Sequence, residues 1–313
     1  MVHSDTMTKE PSIEPAAAAV FEQARPRLLG LAYRILGSLA DAEDAVQDTF
    51  VKWADAERAD IDTPAAWLTT VCTRRCLDLL RAAQRTRVSY VGAWLPEPVQ
   101  TGLPAESAIG EGEVGEGPEL AVSLTTAFLL MLERLTPKER AAFLLREVFD
   151  RPYGEIAAAL DLKEAACRKL VSRAKDHVER AQVRHRTPAE RQDRLLAAFR
   201  AAVEEGATAP LAALLADDIR LSADGGGKVP TLGRILQGRE AVMRFVGRAL
   251  PRLWAGQRWR PVILNGTRAF LMERDHRTVA AVTFAYDPEG RATGVFILRN
   301  PDKLAALRPV TIQ

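Results

Sequence analysis

Residues Pro152–Arg180 read PYGEIAAALDLKEAACRKLVSRAKDHVER, and the fold turns on this stretch. A short apolar helix over Glu155–Leu160 meets a tight turn, and a longer helix opens at Lys163. Ala166, Leu170, Ala174 and Val178 recur at intervals of four, which puts them on one side of that second helix. Glu164, Arg168, Lys169, Ser172, Arg173 and Lys175 fall on the other side. Two short helices joined by a few residues, the second basic on its free side, form the layout of a helix-turn-helix that lays its second helix in the DNA major groove. Two ordinary packed helices with a solvated charged face give the same pattern. The motif alone therefore leaves the class of protein open.

The charge around this motif is uneven. Net charge is only +2, yet Val88–Glu133 holds seven Glu and no Lys or Arg, whereas Lys163–Arg191 sets nine Lys or Arg against four acids. A near-neutral total thus hides a basic segment suited to phosphate backbones. The length of 313 residues suggests two domains or three small ones. No apolar run approaches the ~18 residues of a membrane span. Residues 1–15 lack a basic start followed by an apolar core and read as a disordered lead-in without a secretory signal. Three cysteines (Cys72, Cys76, Cys167) are too few for a disulfide framework and point to a reducing compartment, with the cytoplasm as the expected location.

Three blocks follow from periodicity. Block one, residues 16–87, reads as three helices. The first carries Val20, Ala24, Leu28, Leu31 and Ile35 to Gly37. The second, starting at Leu39 or Ala40, buries Ala42, Val46, Phe50 and Trp53, with Asp41, Asp44 and Asp48 opposite and Glu43 and Gln47 beside them. The third starts at Thr63-Pro64, a capping residue before a first-turn proline, and carries Thr70, Arg74, Asp78 and Arg81 outward. Residues 88–119 read as an acidic Gly/Pro linker. Within it, Trp94-Leu95-Pro96-Glu97-Pro98 is too apolar for a purely solvated tether; it is either a docking segment or a local turn with a partly exposed Trp. Block two, residues 120–184, resumes helix, with a capping box at Thr136-Pro137-Lys138-Glu139, and ends in the helix-turn-helix.

Block three, residues 190–313, changes character. Helices at Asp193–Glu205 and Leu211–Leu215, a strand at Ile219–Ser222 and a helix near Arg239–Leu250 precede strands at Trp259–Leu264, Ala269–Glu273, Thr278–Tyr286 and Thr293–Arg299. The expected fold is α+β: a curved antiparallel four-strand meander round helices, a cone with a pocket at its open end. Asp224, His276 and Asp287 are the residues that could serve as acid and base there, with Trp254 and Trp259 as lining. A solvated turn histidine and core tryptophans are the competing reading. Cys72 and Cys76, four apart without a nearby His, read as one buried and one half-buried core residue, not a metal site. No phosphate loop, nucleophile elbow or metal-spaced His cluster occurs, so catalytic, cofactor and metal residues are all expected to be none.

Residues 16–182 resemble the extracytoplasmic-function (ECF) sigma factors of bacterial RNA polymerase, two all-α domains joined by a flexible linker. The resemblance rests on the order of the run Asp41-Ala-Glu-Asp-Ala-Val-Gln-Asp, the Arg-bearing third helix and the helix-turn-helix. It implies that Asp41, Glu43, Asp44, Gln47 and Asp48 dock on the clamp helices of the core enzyme. It implies that Trp67, Thr70, Arg74, Arg75 and Arg81 hold the −10 promoter element. Lys163, Glu164, Arg168, Lys169, Ser172, Arg173 and Lys175 would read the −35 element. The chain departs from the family in placing Asp161 where Gly is usual at the turn, and Lys163 where a Ser or Thr cap is usual.

Block three is similar to the SnoaL-like group of the nuclear-transport-factor-two-like fold, an extension carried by a subgroup of these sigma factors. That resemblance implies regulation in cis with no separate anti-sigma factor. The interdomain set would be Trp94, Leu95 and Pro96 with Asp224, Gly225, Gly226, Gly227 and Lys228, and with Asn300, Pro301, Asp302 and Lys303. A small ligand or partner could bind the extension without turnover. Two other classes stay open: a helix-turn-helix operator regulator with a ligand-sensing domain, and a SnoaL-like enzyme fused to a DNA-targeting module.

Overall fold

The computed structural model describes residues 14–87, 90, 92–101, 122–180 and 187–307. Most of the lead-in and linker segment 102–121 therefore lie outside the described residues. Among the described residues, no helix is long and apolar enough to cross a membrane.

Block one forms α1 (Pro15–Leu36), α2 (Leu39–Ala54) and α3 (Pro64–Arg87). Gly37 ends α1 at φ 69°, a left-handed conformation that costs glycine nothing, and Ser38 caps α2 by accepting from the Asp41 amide. Block two forms α4 (Thr126–Leu132), α5 (Pro137–Phe143) running into a π turn (Leu144–Val148), α6 (Tyr153–Leu160) and α7 (Glu164–Arg180). Thr136 and Glu139 complete the capping box of α5.

The two helical blocks share one continuous core, from Phe21 and Leu31 of α1 to Phe143, Leu160 and Val178. Buried arginines stitch the seam. Arg34 donates from Nε to Ser123 Oγ (2.7 Å), and Arg140 donates from NH1 to the Ile35 carbonyl at the end of α1 (2.7 Å). Burial lowers the pKa of Arg34 to about 10.

Block three forms α8 (Ala189–Glu204), α9 (Thr208–Ala212), β1 (Leu215–Asp224), β2 (Leu236–Gln237), α10 (Arg239–Arg248), α11 (Leu250–Leu253), β3 (Arg258–Leu264), β4 (Thr267–Arg274), β5 (Arg277–Tyr286), β6 (Ala292–Leu298) and α12 (Pro301–Leu304). The sheet is mixed and six-stranded, in the order β2-β1-β6-β5-β4-β3. The expected antiparallel meander is present as β3 to β6. Two features correct it: β1 starts at Leu215, where a helix was expected, and pairs parallel with β6; β2 then adds an edge. The β1–β6 pairing joins segments about seventy residues apart, and local periodicity carries no record of such a partner.

Both faces of this sheet are covered. Ala280, Val282, Phe284 and Tyr286 of β5 face a core with Phe199, Val242, Trp254 and Trp259. The alternate residues Ala281 and Ala285 join Leu95, Phe296, Leu298 and Leu304 on the opposite side, with Ala127 and Leu130 of α4 packed against them. Small side chains on that second face let another helix approach closely. The extension thereby seats directly on block two, and Thr283 of β5 bonds Thr126 of α4 (3.3 Å).

Candidate functional site

On α2, Glu43, Asp44 and Gln47 are exposed, and Asp41 and Asp48 are half-buried. They form one acidic and amide face. Asp48 is turned to α3, where it pairs with Arg75 Nε at 2.5 Å. On α3, Trp67 is half-buried, 5.5 Å between ring centres from Trp53, and Thr70 is half-buried. Arg81 is exposed and pairs with Asp78 at 3.1 Å. Arg74 crosses the seam and donates to the Ala158 (2.7 Å) and Ala159 (3.3 Å) carbonyls near the end of α6. Arg74 and Arg75 thus hold protein partners here and do not form an open strip with Arg81. Cys72 and Cys76 are both fully buried, correcting the expectation of one half-buried residue; one turn apart, both face the core of the three helices. Burial pushes the Cys76 thiol pKa up.

The helix-turn-helix turns at Asp161, whose φ of 50° and ψ of 62° are left-handed. Asp accepts this conformation more readily than other non-glycine residues. The buried stripe of α7 is Cys167, Val171, Ala174 and Val178. This corrects the expected stripe: Ala166 and Leu170 are half-buried flanks. The 167/171/174/178 spacing follows the 3.6-residue turn better than strict fours, and Cys167 packs as a small hydrophobe. Lys163, Glu164, Arg168, Lys169, Ser172, Arg173 and Lys175 are all exposed on the free side. Glu164 and Arg168 pair at 3.2 Å, with Arg168 4.2 Å above the Tyr153 ring centre. Arg173 faces Glu139 (3.7 Å) and Lys175 faces Glu147 (3.5 Å).

The linker residues Gly92–Thr101 form a strap between block one and the extension. Trp94 lies over Gly37, where a Cβ would meet its ring at 2.6 Å. The Glu97 amide donates to the Gly37 carbonyl (2.8 Å), and Glu97 Oε2 accepts from the Leu39 amide (2.8 Å). Burial raises the Glu97 pKa.

On its other side the strap meets Asp224, which is completely buried. Its carboxylate accepts from Tyr90 Oη (2.6 Å), the Leu95 amide (3.0 Å), the Gly226 amide (2.9 Å) and Lys303 Nζ (2.8 Å). Lys303 also donates to the Leu95 carbonyl (2.6 Å) and lies 4.5 Å from the Trp94 ring centre. Asn300 caps α12 ahead of Pro301 and sits against Gly226, where φ is +63° and a Cβ would come within 2.4 Å. Gly225 has a similar restriction, its Cβ position 2.5 Å from the Val229 carbonyl. Gly227 completes the turn at φ 71°, and Lys228 reaches Asp302 at 2.6 Å. The WLPEP, DGGGK and NPDK segments therefore meet at one place, and Leu95 and Pro96 are buried in it.

A second junction was not read from the sequence. Tyr33 of α1 donates to the Glu97 carbonyl (2.6 Å) and accepts from Asn265 Nδ2 (2.6 Å), while Asn265 Oδ1 accepts from the Val99 amide (3.1 Å). The Asn265 amide donates to the Val99 carbonyl (2.8 Å) and the Thr101 amide to the Ile263 carbonyl (3.0 Å), so the strap ends in an isolated antiparallel bridge, Gln100 opposite Leu264 at the end of β3. One side chain, Asn265, thus touches both block one and the strap. Asn265-Gly266 signals only a hairpin in the sequence; that this turn Asn is 1% exposed is set by the fold and has no local signal.

The acid/base residues considered for the extension do not form one group: Asp287 lies at the opposite end of β5 from the β4–β5 turn that holds His276. Asp224 is saturated in the junction, and His276 is exposed in the β4–β5 turn. Asp287 pairs with Arg291 at 2.7 Å. Trp254 and Trp259 are not pocket lining. They fill the cone with Phe199, ring centres 5.4–6.3 Å apart. Among the described residues no group of three His, Cys, Asp or Glu could hold a metal ion.

Comparison with known proteins places this geometry. Residues 20–86 match the Sigma-70 region 2 family and residues 125–178 match Sigma-70, region 4. The chain is 33% identical over 298 residues to the ECF RNA polymerase sigma factor SigJ of Mycobacterium tuberculosis, covering 90% of this chain and 91% of that protein. A probable ECF sigma factor of the same species, SigI, is 32% identical over 172 residues, covering 54% and 56% of the two chains. The crystal structure of SigJ superposes with a TM-score of 0.71 over 92% of this chain and 98% of that one. That match runs through the C-terminal domain and supports its reading as a SnoaL-like extension. The two sigma-70 region matches and the likeness to SigJ over nine-tenths of both chains agree, and the chain belongs to the ECF sigma factors, transcription initiation factors and not enzymes.

Proposed function

We propose that this sigma factor is held closed by its own extension and that opening the strap junctions sets its transcriptional output. The observation that carries this reading is the convergence of strap, β1 end and α12 on buried Asp224, with Tyr33 and Asn265 tying α1 to the same strap. In this arrangement Arg74, assigned to the −10 element, is bound to α6 of the domain assigned to the −35 element. Reading two separated promoter elements requires that seam to part. The extension and strap do the holding, so a separate anti-sigma factor is not needed, and the protein works in the cytoplasm.

The assigned roles follow the exposed faces. Asp41, Glu43, Asp44, Gln47 and Asp48 dock on the clamp helices of core polymerase. Trp67, Thr70, Arg74, Arg75 and Arg81 hold the −10 strand once freed. Lys163, Glu164, Arg168, Lys169, Ser172, Arg173 and Lys175 read the −35 duplex, phosphate contacts positioning the helix and base contacts specifying it.

Run-off transcription with core polymerase tests the whole. The full chain and a chain lacking residues 190–313 should differ in output from a cognate promoter. The Asp44→Ala/Gln47→Ala/Asp48→Ala variant should lose core affinity while keeping its helices. Equal output from both lengths removes regulation in cis. Wild-type core affinity in the triple variant removes the docking face.

A further inference from the structure

At one end of the extension's sheet the strands β3, β4, β5 and β6 finish or begin on arginine: Arg258, Arg274, Arg277 and Arg299. The register sets Arg274 opposite Arg277 and Arg258 opposite Glu273, beside Arg274, at this end of the sheet; Arg299, which follows Leu298 opposite Ala281, lies about three residues further in. This is also the end where β1, parallel to β6, terminates at Asp224. With neighbouring strands about 4.8 Å apart, the exposed Arg258, Arg274 and Arg277 on β3, β4 and β5 span about 10 Å. Arg258, Arg274 and Arg277 are exposed, and none has an ion pair among the described residues. Of the nearby acids, Glu273 is held by Arg260 at 2.5 Å, Asp302 is held by Lys228, and Asp275 stands in the turn itself.

Nothing in the fold's own stability accounts for this row. Arg274 lies directly across the ladder from Arg277, and like charges in that position are destabilising. The turn between them puts Asp275 at φ 50° and His276 at φ 59°, left-handed positions that glycine or asparagine would fill at lower cost. Arg299, half-buried and donating to the Pro230 carbonyl, has its pKa lowered by burial and then by the charge of Arg274, so the guanidinium groups are crowded. A basic rim kept against these costs calls for an external polyanion.

We propose that this rim, centred on Arg258, Arg274 and Arg277, is a further DNA-contacting surface that grips the phosphate backbone of duplex DNA. Its position fits that partner. The chain leaves α3, which carries Arg74, Arg75 and Arg81, at Arg87, and three residues later Tyr90 is bonded to Asp224 at this same end of the sheet. Duplex DNA carries one charge per about 1.7 Å of axis with both strands counted, so about 10 Å of duplex holds about six phosphates, enough for one contact to each of the three arginines. The extension would then add affinity without base preference. The proposal rests on the promoter-binding reading only in its reason for DNA being near.

The test is fluorescence anisotropy of the full chain with a short labelled duplex of arbitrary sequence, over about 50–200 mM salt. The Arg258→Ser/Arg274→Ser/Arg277→Ser variant should flatten the slope of log affinity against log salt by up to about 2.7, about 0.9 per lost phosphate contact. The triple Lys variant at these positions should keep the slope. Arg200→Ser/Arg244→Ser/Arg291→Ser removes the same charge from ion-paired positions elsewhere on the extension and should change the slope little. Arg258→Ser alone, lowering the slope by about 0.9, serves should the triple variant fail to fold. An unchanged slope overturns the proposal, as does an equal fall in the control variant. Neither result touches run-off transcription, which tests the sigma reading separately.

Discussion

Replacing Asn265 by glycine should unlatch the strap while leaving each core intact. Asn265 sits at φ 51°, so alanine there would add about 1–2 kcal/mol of backbone strain, whereas glycine isolates the side chain. Two hydrogen bonds are lost, from Nδ2 to Tyr33 Oη and from the Val99 amide to Oδ1. Val99 is 5% exposed, and its orphaned amide costs about 1–3 kcal/mol. Tyr33 keeps its bond to the Glu97 carbonyl but loses the one it accepts, about 1 kcal/mol more. Together about 2–4 kcal/mol leave the closed junction, which raises the open-to-closed ratio about 30- to 700-fold at 1.4 kcal/mol per tenfold. The backbone bonds between strap and β3 survive, so docking weakens and is not abolished. Hydrogen exchange read by mass spectrometry should show faster exchange in peptides spanning 92–101, with α1 and the β4–β6 sheet protected as in the wild type. Unchanged protection of the strap would refute the latch. Loss of protection throughout α1–α3 would refute its separateness from the core.

Three more outcomes follow from the same junctions. Lys303→Met strips the buried Asp224 of its cation and should destabilise the chain by about 3 kcal/mol, the low end for a broken buried pair because Tyr90, Leu95 and Gly226 still donate; calorimetry should show part of the loss recovered in Asp224→Asn/Lys303→Met, and a wild-type melting profile for Lys303→Met alone would sink the assignment. Gly37→Ala forces a methyl into the Trp94 ring at 2.6 Å besides straining a φ of 69°, so it should free Trp94 and shift its fluorescence to the red, which an unshifted spectrum would contradict. Glu97 has a folded pKa raised above its ordinary 4.5, so the folded chain binds the proton more tightly than the unfolded one. Its contribution is full below 4.5 and is lost as pH rises through the folded value; strap protection should therefore fall across that window in the wild type and stay level in Glu97→Gln.

What the sequence disclosed and what it concealed divide by the range of the interaction. The helix-turn-helix, the capping box at Thr136 and the start at Pro64 are written in neighbouring residues, because caps and apolar stripes act within one or two turns. The buried stripe of α7 runs through Cys167 instead of Ala166, because a thiol packs like a small hydrophobe although it carries no apolar label in a sequence pattern. The β1–β6 pairing was out of reach because parallel partners share no turn. One long-range clue was present: Ala280–Tyr286 is apolar at nearly every position, which in a strand means that both faces are covered. Something had to pack on the second face of the cone, and the apolar Trp94–Pro98 segment in an otherwise acidic linker was the available partner.

Asn265 shows where such reasoning ends. Asn-Gly between two strands satisfies hairpin chemistry so fully that it invites no further question. A turn that closes a hairpin needs only the backbone of its Asn, which leaves the amide side chain free to bond elsewhere. Here that amide bonds α1 on one side and the strap on the other, and the position would read as ordinary turn chemistry in any sequence. The acidic helix, the arginine helix and the helix-turn-helix are surfaces, legible as charge on a periodic face. The junctions that hold those surfaces closed are made of single buried polar atoms whose partners lie from 64 residues away, Tyr33 to Glu97, to 232, Tyr33 to Asn265, and only the three-dimensional packing sets such pairs.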